Sequence, residues 1–217
     1  MNKKEILKKT REFVKAKFLG EGSGHDWWHI ERVINTSLAI GQKEKADLFI
    51  VELGALLHDI ADFKFHGGDE MAGGRAAEKW LKSLGVNSEN IKRVRHIVDH
   101  TSFKGVGEQN SMKSLEGKVV QDADRLDALG AIGIARAFAY GGYKNREIYN
   151  PEKKVEKHRS FEEYKKDTSS TVNHFSEKLL HLKERMNTKT GLVLAKKRHR
   201  VLEKYLEQFF AEWRGEK

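Results

Sequence analysis

Imidazoles and carboxylates interrupt otherwise apolar stretches of this chain in three places. His29 stands in Asp26-Trp27-Trp28-His29-Ile30-Glu31-Arg32-Val33. His58 and Asp59 sit side by side in Ala55-Leu56-Leu57-His58-Asp59-Ile60-Ala61-Asp62. Asp124 lies in Val119-Val120-Gln121-Asp122-Ala123-Asp124-Arg125-Leu126-Asp127. A carboxylate in such surroundings is costly unless something compensates its charge. A divalent cation held by two imidazoles and two carboxylates does so, and neighbours at one helix end can both reach it. Taken singly, each residue has a competing structural reading as a core histidine or a capping aspartate. Together on so apolar a helix, His58 and Asp59 favour chemistry.

Other chemistries are excluded by what the chain lacks. With no cysteine there is no disulfide framework, thiolate zinc site, iron–sulfur cluster or cysteine nucleophile. No G-x-x-x-x-G-K-[ST] phosphate loop, H-E-x-x-H or G-x-S-x-G elbow occurs. Gly20, Gly22 and Gly24 resemble a dinucleotide fingerprint only superficially, because no strand precedes them.

The elements that must position these groups read as helices almost throughout. Ile6, Leu7, Thr10, Phe13, Val14 and Phe18 form one stripe, ended by the glycines at 20 to 24. A second helix is expected from about Asp26 to Gly41. Asp47 caps a third, whose apolar residues cover most of its circumference and place it centrally. A fourth is expected over residues 69–84, stopped by Gly85, and a fifth begins at Ser88. Leu115 to about Tyr140 is apolar and long, with Gly130 and Gly133 as bends. Gly141 to about Phe161 loses periodicity, holds the only proline and carries Lys144, Arg146, Lys153, Lys154 and Lys157. It is expected to be a mobile loop that orders over substrate. Two amphipathic stretches follow, marked by Val172, Phe175, Leu179, Leu182 and Met186, and by Val201, Leu202, Tyr205, Phe209 and Trp213. The expected fold is all-α: a helical bundle with a C-terminal helical hairpin.

Size and charge bound the rest. A chain of 217 residues buries one continuous core and is expected to be a single domain. No apolar run approaches the ~20 residues of a membrane span, so a soluble, cytoplasmic protein is expected. The net charge is +9, and six of those nine charges fall in residues 151–217. That surplus suits a nucleotide, a phosphorylated metabolite or nucleic acid, or equally a solvated lysine-rich surface.

The order His, His-Asp, distant Asp resembles the HD-domain metal-dependent phosphohydrolases. His29-Ile30-Glu31-Arg32-Val33 looks like that family's first histidine helix and Leu56-Leu57-His58-Asp59-Ile60 like its doublet helix. Gln121-Asp122-Ala123-Asp124-Arg125-Leu126-Asp127-Ala128 looks like its final-aspartate helix. The likeness covers about residues 20–140. The C-terminal helices, about 168–214, with Lys178-Leu179-Leu180, Met186-Asn187-Thr188 and Arg198-His199, resemble the bacterial branch that includes nucleotide pyrophosphohydrolases.

The resemblance implies that His29, His58, Asp59 and Asp124 bind the metal. It prefers Asp124 to Asp122 and Asp127, which become neighbouring or helix-surface groups. Manganese or magnesium is favoured by family precedent, while the mixed nitrogen and oxygen donors also suit iron, cobalt, nickel or zinc. Asp62, one turn beyond His58, matches an acidic position that some relatives use for proton transfer; a surface acid is the equal alternative. Lys64, His100, Lys104 and Arg125 are the candidate phosphate contacts. His96 and His100 share a helix face, and three readings stay open: second-metal ligands, phosphate donors, or solvent-facing histidines. His25 falls outside the metal's ligands, and Trp27 and Trp28 read as core anchors. The expected activity is hydrolysis of a nucleoside triphosphate to monophosphate and pyrophosphate. A nucleotidase or phosphodiesterase using the same metal is the alternative. The non-enzymatic rival is a nucleic-acid-binding module docking through Lys196-Lys197-Arg198-His199-Arg200, a partner the glutamate-interrupted run makes unfavoured. A homodimer is permitted by the helical tail.

Overall fold

The computed structural model describes residues 1–20, 26–60, 69, 71–101, 111–155 and 169–216. Among the described residues every regular element is helical: α1 (Lys3–Phe18), α2 (Trp27–Glu44), α3 (Leu48–Leu57), α4 (Ala72–Ser83), α5 (Ser88–Thr101), α6 (Leu115–Asp127), α7 (Gly130–Tyr143), α8 (Thr171–Glu177), a 3-10 segment (Leu179–Arg185) and α9 (Lys189–Trp213). The all-α expectation holds. The chain divides into two compact units. The first holds α1 to α5 and α6 as far as Asp124; the second runs from Arg125 to the C-terminus.

In the first unit α3 is the centre, packed against α1, α2 and α5. Its apolar circumference requires this: eight of its ten residues are buried, from Phe49 to Leu57, and each large aliphatic buried contributes about 1.5–3 kcal/mol. Gly54 lets α5 approach closely, since a Cβ there would lie 2.9 Å from Ile97 Cδ1. Local signals start the helices. Asn2 and Glu5 form a reciprocal capping box on α1, and Asp47 caps α3 through the Phe49 amide. Asp47 also takes Arg93 Nη1 at 3.1 Å, while Arg93 Nη2 lies 3.3 Å from Glu116. One guanidinium thus joins α5, the start of α3 and α6.

In the second unit α7 packs on α9, and α8 on the 3-10 segment and α7. Phe138, Phe175 and Tyr205 form its aromatic centre, with ring centroids 5.8 to 6.0 Å apart. The long apolar stretch from Leu115 breaks at Gly130, whose φ of +73 other residues rarely adopt, while Gly133, the other expected bend, lies inside α7. Three boundaries differ from the sequence reading. The fourth helix begins at Ala72 rather than 69. The first leg of the C-terminal pair changes at Lys178 (φ −133, ψ −58) from α-helix to 3-10 helix. And α7 continues through Gly141 to Tyr143, because Gly141 is a close-approach position: a Cβ there would meet Thr171 Oγ1 at 2.2 Å.

Beyond α7, residues 144–155 carry anchors of their own. Thr171 and Val172 amides donate to the Glu147 and Ile148 carbonyls at 2.9 and 3.0 Å. Tyr149 sets its ring edge-on to Phe209, Phe210 and Trp213. Residues 156–161 of the expected loop lie outside the described residues.

Candidate metal centre

His29 is placed by the first turn of α2. Asp26 Oδ1 accepts the His29 amide at 2.8 Å, fixing where the helix starts. The imidazole is then carried on the same side as Ile30, Val33 and Ile34, and is fully buried. His58 immediately follows α3 and still has helical backbone angles. Its Nδ1 lies 2.7 Å from the Ala55 carbonyl, an oxygen that can only accept. Nδ1 therefore carries the hydrogen and Nε2 keeps its lone pair. Asp59 comes next, in a turn closed by Ile60 N to Leu57 O. Asp124 projects from α6.

These groups converge. His29 Nε2 and His58 Nε2 are 3.2 Å apart. Asp59 Oδ2 lies 3.5 Å from the first and 3.6 Å from the second. Asp124 Oδ1 lies 3.5 and 4.0 Å from the same atoms. Among the described residues, His29, His58 and Asp59 are the one set whose ligand atoms fall within 4.8 Å of one another. The donor chemistry fits a cation: the His58 lone pair and the Asp59 carboxylate face each other, with Asp124 within 4.0 Å of both imidazoles, a repulsive arrangement without a positive charge between them. The centre is graded in exposure, with side-chain values of 0% for His29, 1% for His58, 13% for Asp59 and 28% for Asp124. The centre is most open to solvent at Asp124.

The other sequence candidates separate. Asp62, Lys64 and Lys104 lie outside the described residues. Arg125 is buried and donates from Nη1 to the Arg185 carbonyl. His100 is half-buried, with Nδ1 2.8 Å from the His96 carbonyl one turn back, which leaves Nε2 as an acceptor or ligand. Gln121 Nε2 donates to the His100 carbonyl at 3.0 Å, linking α5 to the Asp124 helix. The solvent-facing reading of His96 does not hold: its Nε2 is buried and has no hydrogen-bond partner among the described residues. Burial pushes the His96 pKa down, His100 and Lys113 push it the same way, and Asp99 opposes them. Asp122 and Asp127 are both buried rather than on a helix surface, and Asp127 Oδ2 pairs with Arg136 Nη1 at 3.0 Å. Trp27 is a core anchor, 3% exposed, but Trp28 is 59% exposed. The two are one helical step apart, and only one can face the core.

The sequence reading missed Lys17. Its ammonium donates to the Ile60 carbonyl at 2.6 Å, one residue past Asp59, and partial burial lowers its pKa. The signal was present: Lys17 is i+4 from Phe13 and i+3 from Val14, so it flanks the buried stripe of α1.

Comparison with known proteins agrees with this geometry. A family profile for the HD domain matches residues 27–129, which hold all four converging side chains. The uncharacterized protein YpgQ of Bacillus subtilis is 40% identical over 209 residues, spanning 96% of this chain and 94% of its own. An HD-superfamily hydrolase of Bacillus thuringiensis superposes with a TM-score of 0.75 at 42% identity, covering 98% of this chain and 99% of the other. A protein of Lactobacillus plantarum gives a TM-score of 0.87 at 35% identity, covering 99% and 100%. The crystal structure of YpgQ in complex with ADP gives 0.74 at 39% identity, covering 95% and 97%. The likeness extends along nearly the whole chain, and the imidazoles and carboxylates stand where the family profile falls. The chain belongs to the HD domain family, and it is a metal-dependent phosphohydrolase.

Proposed function

We propose that this enzyme hydrolyses nucleoside or deoxynucleoside triphosphates to monophosphate and pyrophosphate. The observation that carries the phosphohydrolase chemistry is the convergence of His29, His58, Asp59 and Asp124, which we take as the ligands of manganese or magnesium; the choice of bond rests on the basic surplus and the resemblance of the C-terminal helices. A divalent ion bound there supplies Lewis acidity toward phosphate oxygens and toward the attacking water. The chain's residues set the geometry around it. His58 is held in one tautomer by the Ala55 carbonyl, and His29 is fixed by the Asp26 cap. Asp59 and Asp124 neutralise the cation's charge, Asp124 from the solvent side. Asp62 orients water or moves its proton. His100, Lys64 and Lys104 contact phosphate, and His100 Nε2 is left available for this by the bond that Nδ1 makes.

The ADP complex of YpgQ supports a nucleotide as the ligand, and the surplus of basic residues supports a highly charged one. The nucleic-acid reading weakens at its own basic run. Arg198 donates to the Leu126 carbonyl at 2.5 Å and His199 is buried beside Glu203, so the run is not a continuous exposed stripe.

Asp59→Ala is expected to lose both bound metal, measured by elemental analysis, and hydrolysis, while circular dichroism stays helical. Full metal content and activity in that variant would overturn the site assignment. With the wild type in oxygen-18 water, the label is expected in the nucleoside monophosphate. Label found only in phosphate released from a monophosphate would replace the pyrophosphohydrolase reading with a nucleotidase.

A further inference from the structure

The proposed reaction leaves open where the base and sugar of the nucleotide go. A cavity of about 180 Å³ opens at the junction of α1 and α2, lined by Phe18, Leu19, Gly20, Asp26, Trp27 and Trp28. We infer that this cleft receives the nucleobase of the substrate, with Trp28 as its stacking wall; the inference rests on the nucleotide reading above.

Three observations carry it. The first is position. The cleft is tied to the metal centre at both ends: Lys17, adjacent to Phe18, donates to the Ile60 carbonyl beside Asp59, and Asp26 accepts the His29 amide. Those contacts set the cleft beside the segments that carry His29 and Asp59. The second is chemistry. Trp28 is 59% exposed and Leu19 64% exposed at the cleft, although Trp28 directly precedes a fully buried histidine. A flat heteroaromatic ring covers such an indole face with a stacking gain that does not depend on which base is present. Asp26 supplies the polar group: one carboxylate oxygen caps α2, and the other can accept from an exocyclic amine or a sugar hydroxyl. Lys17 supplies the cation, keeping two of its three donors for the phosphates that run toward the metal. The third is size. Pockets that enclose a whole ligand measure roughly 300–1,000 Å³. A cavity of about 180 Å³ takes one ring system and leaves sugar and phosphates outside it.

The test compares Trp28→Ala and Trp28→Phe with the wild type, using the four common nucleoside triphosphates as substrates and inorganic tripolyphosphate as competitive inhibitor. Trp28→Ala is expected to raise KM roughly tenfold or more for every base, in the range that base–aromatic stacking supplies. Trp28→Phe should recover most of the loss, and the inhibition constant of tripolyphosphate, which has no base, should stay at the wild-type value in both variants. An unchanged KM in Trp28→Ala would overturn the inference. So would a parallel loss of tripolyphosphate binding, which marks a structural tryptophan. Titration of tryptophan fluorescence with adenosine keeps the two readings apart, because it needs no hydrolysis. Quenching in the wild type that disappears in Trp28→Phe supports the cleft whatever the reaction proves to be. If the wild type hydrolyses nucleotides but adenosine quenches both proteins equally or neither, the reaction stands and the cleft falls.

Discussion

Arg11 ties together the two helices that deliver the histidines, and its removal has a calculable cost. From α1 its Nη1 reaches both carboxylate oxygens of Glu31, at 3.0 and 2.8 Å, and its Nη2 reaches Glu52 at 3.2 Å. Glu31 follows His29 by two residues on α2, and Glu52 lies on α3 ahead of His58. The guanidinium also sits 5.9 Å from the Trp27 ring centroid. Arg11→Met keeps the aliphatic reach and deletes the charge, leaving two carboxylates to face each other. An exposed ion pair is worth about 0–1 kcal/mol, and stranding a buried charge costs about 3–5 kcal/mol. With side-chain exposures of 33%, 32% and 19% for Arg11, Glu31 and Glu52, the cost belongs between these limits, near 2 kcal/mol by both principles. For a chain of this size that is a fall in Tm of roughly 4–8 °C. Thermal melts followed by far-UV circular dichroism measure it directly. The deficit should shrink in high salt, which screens the carboxylate repulsion. Arg11→Met/Glu31→Gln/Glu52→Gln should regain most of it by removing the stranded charges. A Tm for Arg11→Met within about 1 °C of wild type, or no recovery in the triple variant, would refute the account.

Two further outcomes follow from other contacts. Gly133→Ala would place a Cβ 2.3 Å from the backbone C and O of Ala128. Backbone cannot rotate aside, so a loss of about 2–3 kcal/mol is expected in denaturant unfolding, against the gain of ~1 kcal/mol that Gly→Ala gives in an unhindered helix. Burial holds the His96 pKa below its ordinary 6.5, so the unfolded chain takes up this proton first. The stability carried by neutral His96 is complete above about pH 6.5 and is lost as pH falls through the lowered folded value. His96→Gln should flatten the slope of unfolding free energy below pH 6.5 by at most about 1.4 kcal/mol per pH unit; an unaltered slope would show that His96 does not contribute to it.

The candidate metal centre was legible in the sequence because the cost of its residues was legible. His58 and Asp59 close a helix so apolar that a compensating charge is expected beside them, and α3 does pack at the centre of its unit. Helix starts were legible where a short polar side chain does the capping, as at Asp26 and Asp47. What stayed hidden depends on contacts between distant segments. Nothing local tells Trp27 from Trp28, because burial is decided by which of two adjacent directions meets α1. Gly141 reads as the start of a loop until Thr171 is seen against it. Met186 continues the apolar pattern begun at Val172, but that pattern cannot report a change from α to 3-10 winding at Lys178. Lys17 looked like one more cation on a lysine-rich helix until the Ile60 carbonyl appeared beside it.

The Asp26 cap also determines where this chain tolerates a change of length. Because the helix start is fixed three residues ahead of His29, the direction in which the imidazole points is set locally and owes nothing to how many residues come before Asp26. An insertion upstream of Asp26 leaves that direction intact. One residue added between Asp26 and His29 would rotate the imidazole about 100° around the helix axis relative to the cap. The helix would then have to abandon either its capped start or the burial of Ile30, Val33 and Ile34. Sequences sharing this centre should therefore vary in length before the capping aspartate and keep its three-residue spacing to the first histidine.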